Sequence, residues 1–209
     1  MTRPITGTYR LQLRGDALTF ADALTQVDYL HRLGVSHLYL SPILTASRGS
    51  THGYDVIDPT TVSAQLGGIE GLRALSAAAR GKGMGLIVDI VPNHVGVADP
   101  RQNAWWWDVL TLGRGSNYAD WFDIDWRADN GADGKLALPV LGSADDLAEL
   151  TIDRSGPAPL LAYYDHRFPV APGTDGADPV AVHDRQAYRL VGWRDGISTY
   201  RRFFTINEL

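Results

Sequence analysis

The chain has 209 residues, with 19 basic against 24 acidic side chains, a formal net charge of −5, and no cysteine. That length holds one or two domains with a real core, and mild acidity without a block of like charge argues against nucleic acid as a partner. The missing cysteines remove disulfide frameworks and thiolate metal sites and suit a cytoplasmic protein, while the lack of a long apolar run or signal-like core gives no reason to expect a membrane partner.

Thr8-Tyr9-Arg10-Leu11-Gln12-Leu13 alternates polar and apolar side chains and predicts a first strand. Thr19 and Asp22 have capping-box spacing. A helix is expected from there, with Phe20, Leu24, Val27, Leu30 and Leu33 on its apolar face and Gly34 at its C-terminal end. Val35 to Leu40 reads as a second strand closed by Ser41-Pro42. The opening is therefore β-α-β, which implies parallel strands joined by a right-handed crossover.

From Thr45 to Gly68 the residues suggest a long polar loop without secondary structure, and such loops are often functional. It carries His52-Gly53-Tyr54-Asp55. A second helix is expected from Ile69 to Lys82, with Ile69, Leu72, Leu75 and Ala79 on one face and Gly81 and Gly83 ending it. Next comes Leu86 to Val91, broken only by Asp89, which predicts a strand buried on both faces and ended by Pro92. A carboxylate inside such a strand is costly unless paired, so Asp89 calls for a partner. Asn93 and His94 emerge where α/β barrels place their chemistry; a core strand with a polar end is the alternative reading.

After His94 the regular alternation stops. Trp105-Trp106-Trp107-Asp108-Val109-Leu110 predicts a short helix, a core element with one exposed face or a sugar-stacking surface. Residues 129–134 read as a turn, Lys135 to Leu141 as a strand, Leu150 to Asp153 with Leu160 to Tyr164 as a hairpin, and Ala187 to Trp193 as another strand. Pro169 to Pro179 is a connector. The fold class expected is α/β: residues 1–94 form three β/α units, residues 95–195 an irregular β-rich insertion, and residues 196–209 a return segment.

Asp89-Ile90-Val91-Pro92-Asn93-His94 resembles the motif at the end of the third barrel strand in the α-amylase superfamily of glycoside hydrolases, and His52-Gly53-Tyr54-Asp55-Val56 resembles its loop after the second strand. Thr8 to Leu13, the run around Trp105, Tyr118 to Trp126, Ala162 to Pro169 and Tyr200 to Leu209 are similar to the maltooligosyl trehalose synthases within it. The resemblance implies the first three strands of a (β/α)8 TIM barrel with domain B inserted after the third. It implies a retaining rearrangement of maltooligosaccharide, in which the reducing-end α-1,4 linkage becomes an α,α-1,1 bond. No cofactor is implied; some superfamily members hold calcium between barrel and insertion through the Asn of this motif, but Asp99, Asp123 and Asp125 lack calcium-loop spacing and read as solvated carboxylates, so no metal is expected.

The resemblance also assigns roles. His94 would hydrogen-bond the sugar whose bond breaks, Tyr54 would stack on that ring, and Asp89 would hold a positive partner near the nucleophile. Asn93 would brace the loop into the insertion, His52 and Asp55 would orient Tyr54, and Gln12 would reach the pocket. Arg167 and His166 are open between structural and ligand contacts. The superfamily's nucleophile, acid/base and third carboxylate follow the fourth, fifth and seventh strands, so no catalytic residue is expected within this chain. It is read as the N-terminal part of an enzyme, inactive without the missing C-terminal part as its partner. A non-catalytic maltooligosaccharide-binding module and a truncated hydrolase or transglucosylase of the same superfamily are the alternatives.

Overall fold

Polar–apolar alternation yields β1 (Thr8–Leu11), and the first helix, α1 (Phe20–Arg32), follows it in a computed structural model that describes residues 4–127, 132–195 and, as backbone, 200–204. Thr19 and Asp22 form the expected capping box, the Asp22 carboxylate accepting the Thr19 N–H at 2.8 Å. The buried stripe of α1 is Phe20, Ala23, Val27 and Leu30. Leu24 and Leu33, expected on that face, are 37% and 57% exposed. They fall on either flank of the stripe, because a helix turns about 100° per residue and this one buries only a narrow seam.

The chain crosses to β2 (His37–Leu40), which pairs with β1 in parallel, Arg10 opposite Tyr39 and Leu11 opposite Leu40. The stretch from Thr45 to Gly68 is not the structureless loop expected. It contains an antiparallel pair, β3 (Leu44–Ala46) and β4 (Val56–Val62), and a 3-10 turn at Ala64–Leu66. The register slips along that pair, and β4 carries Pro59 and polar Asp58, Thr60 and Thr61, which hid it from a periodicity reading.

Helix α2 (Gly68–Gly81) buries Leu75 and Ala79, with Leu72 partly buried beside them, while Ile69 is 46% exposed rather than in the core. β5 (Gly85–Val88) pairs in parallel with β2, giving the order β1-β2-β5. The strand ends at Val88, not Val91, and its residues are half-buried rather than closed on both faces; Ile90 is 63% exposed. Among the described residues β5 pairs only with β2, so it is a sheet edge, which accounts for the incomplete burial. Asp89 is correspondingly not a buried carboxylate; its side chain is 19% exposed. Leu38 and Leu40 from β2, the α1 stripe, Leu75, Ala79 and Met84 make one apolar core.

The chain divides into two compact units, Met1–Gly96 and Val97–Leu209. The second starts with α3 (Ala104–Leu112), whose N-terminus is capped by Asn103, the side-chain oxygen accepting the Trp106 N–H at 3.0 Å. Then follow β6 (Phe122–Ile124), β7 (Leu136–Leu141), β8 (Thr151–Asp153), β9 (Leu160–Tyr163), β10 (His166–Pro169), α4 (Pro179–Asp184), β11 (Tyr188–Gly192) and β12 (Tyr200–Phe204). The expected hairpin is β8 with β9, extended by β10 into an antiparallel sheet; β11 pairs in parallel with β7, and β12 antiparallel with β6. α4 and β10 were not expected as separate elements. Residues 128–131, 196–199 and 205–209 lie outside the described residues, and with them part of the expected turn at 129–134, most of the return segment 196–209 and the end of the Tyr200 to Leu209 resemblance. Among the described residues no helix is long and apolar enough to cross a membrane.

Candidate functional site

Because β1, β2 and β5 run parallel, their C-terminal ends open on the same edge of the sheet. Arg10 is the register partner of Tyr39, and Tyr39 of Ile87, so these three share a face. Side chains two residues further along lie on the same face, which brings Gln12 and Asp89 to it.

The side chains converge on Asp89. Its Oδ2 accepts from the Tyr54 hydroxyl at 2.7 Å, from Arg10 Nη1 at 3.2 Å and from the Tyr39 hydroxyl at 3.3 Å. Arg10 Nη2 donates to the Tyr54 oxygen at 3.0 Å and to Gln12 Oε1 at 3.2 Å. The guanidinium also sits over the Tyr39 ring, 4.9 Å from its centroid. Among the described residues Asp89 Oδ1 takes no hydrogen bond. The Tyr54 hydroxyl, and after it Arg10 and Tyr39, hold the Asp89 carboxyl below the usual carboxylate range, while Tyr54 and Asp89 raise Arg10 above its ordinary value. A group so firmly ionised is a poor proton donor near neutral pH, so Asp89 is suited to holding charge and accepting hydroxyls rather than to general acid catalysis.

The loop that delivers Tyr54 is braced from within. The exposed His52 accepts the Tyr54 N–H on Nδ1 at 3.0 Å, and its ring stacks on the Tyr54 ring at 5.9 Å and 28°. Nδ1 lies 3.8 Å from the Asp55 carboxylate, which accepts the Ser50 hydroxyl. Gly53 has φ +78°, and a Cβ there would lie 3.1 Å from the Pro42 carbonyl oxygen, so only glycine turns the chain here without strain. Its N–H donates to Ser50 Oγ at 3.0 Å.

Of the residues expected at a site, Gln12, Tyr54 and Asp89 form one network, with His52 and Asp55 attached through the loop. Asn93 and His94 bond to each other, Oδ1 to Nδ1 at 3.1 Å, and are not joined by hydrogen bonds to the Asp89 network among the described residues. Arg10 and Tyr39 were missed. Arg10 shares a strand face with Gln12, and Asp89 called for a cation; those two signals together would have found it.

In the second unit Trp106 is 1% exposed and packs on Phe122 at 5.0 Å, while half-buried Trp105 meets Trp121 edge-on at 5.0 Å. Arg167 Nε donates to Asp153 Oδ2 at 2.9 Å, and Arg101 Nε to Asp99 Oδ1 at 2.8 Å, so both arginines hold local structure. Asp125 accepts the Arg127 N–H at 3.0 Å.

Comparison with known proteins bears on this geometry. The model of the alpha amylase catalytic domain matches residues 20–143. A protein of Mycobacterium tuberculosis, provisionally named maltooligosyl trehalose synthase, is 62% identical over all of this chain, which covers 27% of that relative. The structure of maltooligosyltrehalose synthase from Arthrobacter ramosus superposes with a TM-score of 0.88 at 50% identity, over 98% of this chain and 27% of that one. The intracellular maltogenic amylase of Bacillus subtilis is 39% identical over 53% of this chain and 17% of its own length. The chain thus spans about a quarter of the synthases it matches. Its three parallel strands and two helices are the opening part of a TIM barrel.

Proposed function

The chain belongs to the family of the alpha-amylase catalytic domain, and from that premise we propose that its first unit carries a maltooligosaccharide-binding part of a glucan-rearranging enzyme. The reaction proposed is intramolecular transglucosylation with retention, turning the reducing-end α-1,4 linkage into an α,α-1,1 bond. The observation that carries the reading is the Tyr54–Asp89–Arg10 network at the C-terminal ends of parallel strands, in a chain 62% identical to a protein provisionally named maltooligosyl trehalose synthase.

Such a reaction needs two carboxyl groups about 5–5.5 Å apart, one as nucleophile and one as acid/base. The firmly ionised Asp89 does not suit the acid role. We assign both reacting carboxyls to the part of the relatives that lies outside the match. In this reading Tyr54 offers its ring to the face of the sugar whose bond breaks, and His94 donates to that sugar's hydroxyls. Asp89 holds positive charge beside the reacting centre, with Arg10 as the partner it has here. His52 and Asp55 fix the loop, Gln12 lines the rim, and Asn93 braces the start of the following segment. Residues 1–94 then act as the first three β/α units, 95–195 as the inserted domain and 196–209 as the return to the barrel. A water-poor pocket would favour transfer to the released glucose over hydrolysis.

The test pairs binding with turnover. The purified chain is titrated with maltopentaose and with cellopentaose, then incubated with maltopentaose alone and with the remaining portion of the mycobacterial relative supplied in trans. The expected result is binding selective for the α-linked sugar, no turnover alone, and a trehalose-ended, non-reducing product on complementation. Turnover by the chain alone would overturn the assignment of the carboxyls, and a hydrolysed product would replace the synthase by a hydrolase.

A further inference from the structure

Asp89 Oδ2 and the Tyr54 hydroxyl are each engaged by Arg10, which reaches them from a different strand. The guanidinium spans three acceptors, Asp89 at 3.2 Å, Tyr54 at 3.0 Å and Gln12 at 3.2 Å, and rests on the Tyr39 ring. A guanidinium is a rigid planar fork, so one side chain ties together the end of β1, the loop between β3 and β4 and the end of β5. Tyr54 belongs to a loop that is otherwise held by its own residues, His52, Ser50 and Asp55. Its phenol has one proton, which goes to Asp89; the incoming bond from Arg10 fixes the oxygen from the opposite partner.

We infer that Arg10 is a positioning residue for sugar binding: it locks the Tyr54 phenol against Asp89 and so sets the plane of the ring that the sugar meets. The inference rests on the proposed maltooligosaccharide site. It differs from a stability role in that its effect on the sugar passes through the Tyr54–Asp89 contact. With the side chain 38% exposed, Arg10 is outside the apolar core, and its replacement should leave that core intact. Asp89 faces Arg10 from β1, Tyr39 from β2 and Tyr54 from the loop; no other charged side chain is bonded to it among the described residues.

The experiment is a double-mutant cycle on the full 209-residue chain, using Arg10→Met, Tyr54→Phe and the pair, with maltopentaose affinity as readout and circular dichroism confirming the fold. Arg10→Met is expected to weaken binding roughly tenfold in the native background, and by less than about twofold once Tyr54→Phe has removed the oxygen. The acid limb of the affinity profile should start at higher pH in Arg10→Met, because Asp89 then titrates closer to the ordinary carboxylate value. Arg10→Lys should restore that limb without restoring the affinity, since a compact ammonium cannot span the three acceptors. Equal factors in both backgrounds, or an unmoved acid limb, would overturn the inference.

If the native chain binds no maltopentaose, the proposed site fails, and the positioning claim is still read without sugar. In tyrosine-labelled chain, Arg10→Met should shift or broaden the Tyr54 ring carbon resonances. Their remaining in place would overturn it.

Discussion

The two units of this chain are held together by different means. Residues 1–96 gather one apolar core from two helices and a parallel sheet, and collect polar side chains at one edge of that sheet. Residues 97–209 distribute strands over small separate sheets and tie loops with individual side chains. Asn103 caps α3 there, Tyr188 donates to the Pro169 carbonyl at 2.9 Å, and Gln186 bonds Val182 and Ala171. The first arrangement gathers its polar side chains into one network at the sheet edge; the second spreads them over separate loops. All six tryptophans lie in the second unit, so tryptophan emission reports on it alone.

The largest effects should come from the two cores. Trp106→Ala should destabilise the second unit by about 3–5 kcal/mol, and Leu38→Ala the first by about 2–5 kcal/mol. Denaturation followed by emission and by tyrosine resonances of the first unit should show each loss in its own unit. If emission moved as far with Leu38→Ala as with Trp106→Ala, the units would unfold as one and the contrast would fail.

Charge should separate the units next. Asp89→Asn is expected to weaken maltopentaose binding roughly tenfold, whereas Asp153→Asn should leave it unchanged; calorimetric titration reads both. Their pH responses sharpen this. Both carboxyls are depressed in the folded state, so the stability each adds is present above its unfolded pKa and disappears as pH falls through the folded value. For Asp153, held by Ser155 and then Arg167, that window runs from 3.8 to about 2. Asp89, held by Tyr54 and then Arg10, is lowered also. Side-chain carbon titration of labelled aspartate should find Asp153 ionised at pH 3, and a value near 3.8 would refute the ties drawn here.

The smallest effect expected is at the helix cap, where Thr19→Ala should cost about 1 kcal/mol. Leu24→Ala, on the exposed flank of the same helix, should fall within about 0.5 kcal/mol of native stability. A larger loss at Leu24 would mean the helix buries the broader face its periodicity suggests.

What could be read from residue order alone follows the same division. The capping box at Thr19 and Asp22, the strand around Leu38 and the hairpin of β8 and β9 are local patterns, visible within a few residues. β4 was missed because Pro59 and its polar neighbours interrupt the alternation and its register slips. Leu24 and Leu33 were misplaced because periodicity marks an apolar face without its width. Asp89 was legible as a carboxylate in want of a cation, but Arg10 stands 79 residues away and Tyr54 44 residues from Arg10. No local pattern joins residues so far apart; the parallel register of β1, β2 and β5 brings Arg10 to Asp89, and the loop between β3 and β4 brings Tyr54.

The most direct measurement is a maltopentaose titration of the chain with all tyrosines labelled on the ring, followed by carbon–proton NMR. Saturable shifts are expected at Tyr54, with smaller ones at Tyr39, and none at Tyr118, Tyr163, Tyr164 or Tyr188. Shifts confined to those second-unit tyrosines, with Tyr54 unmoved, would contradict that expectation and put the sugar on the wrong unit.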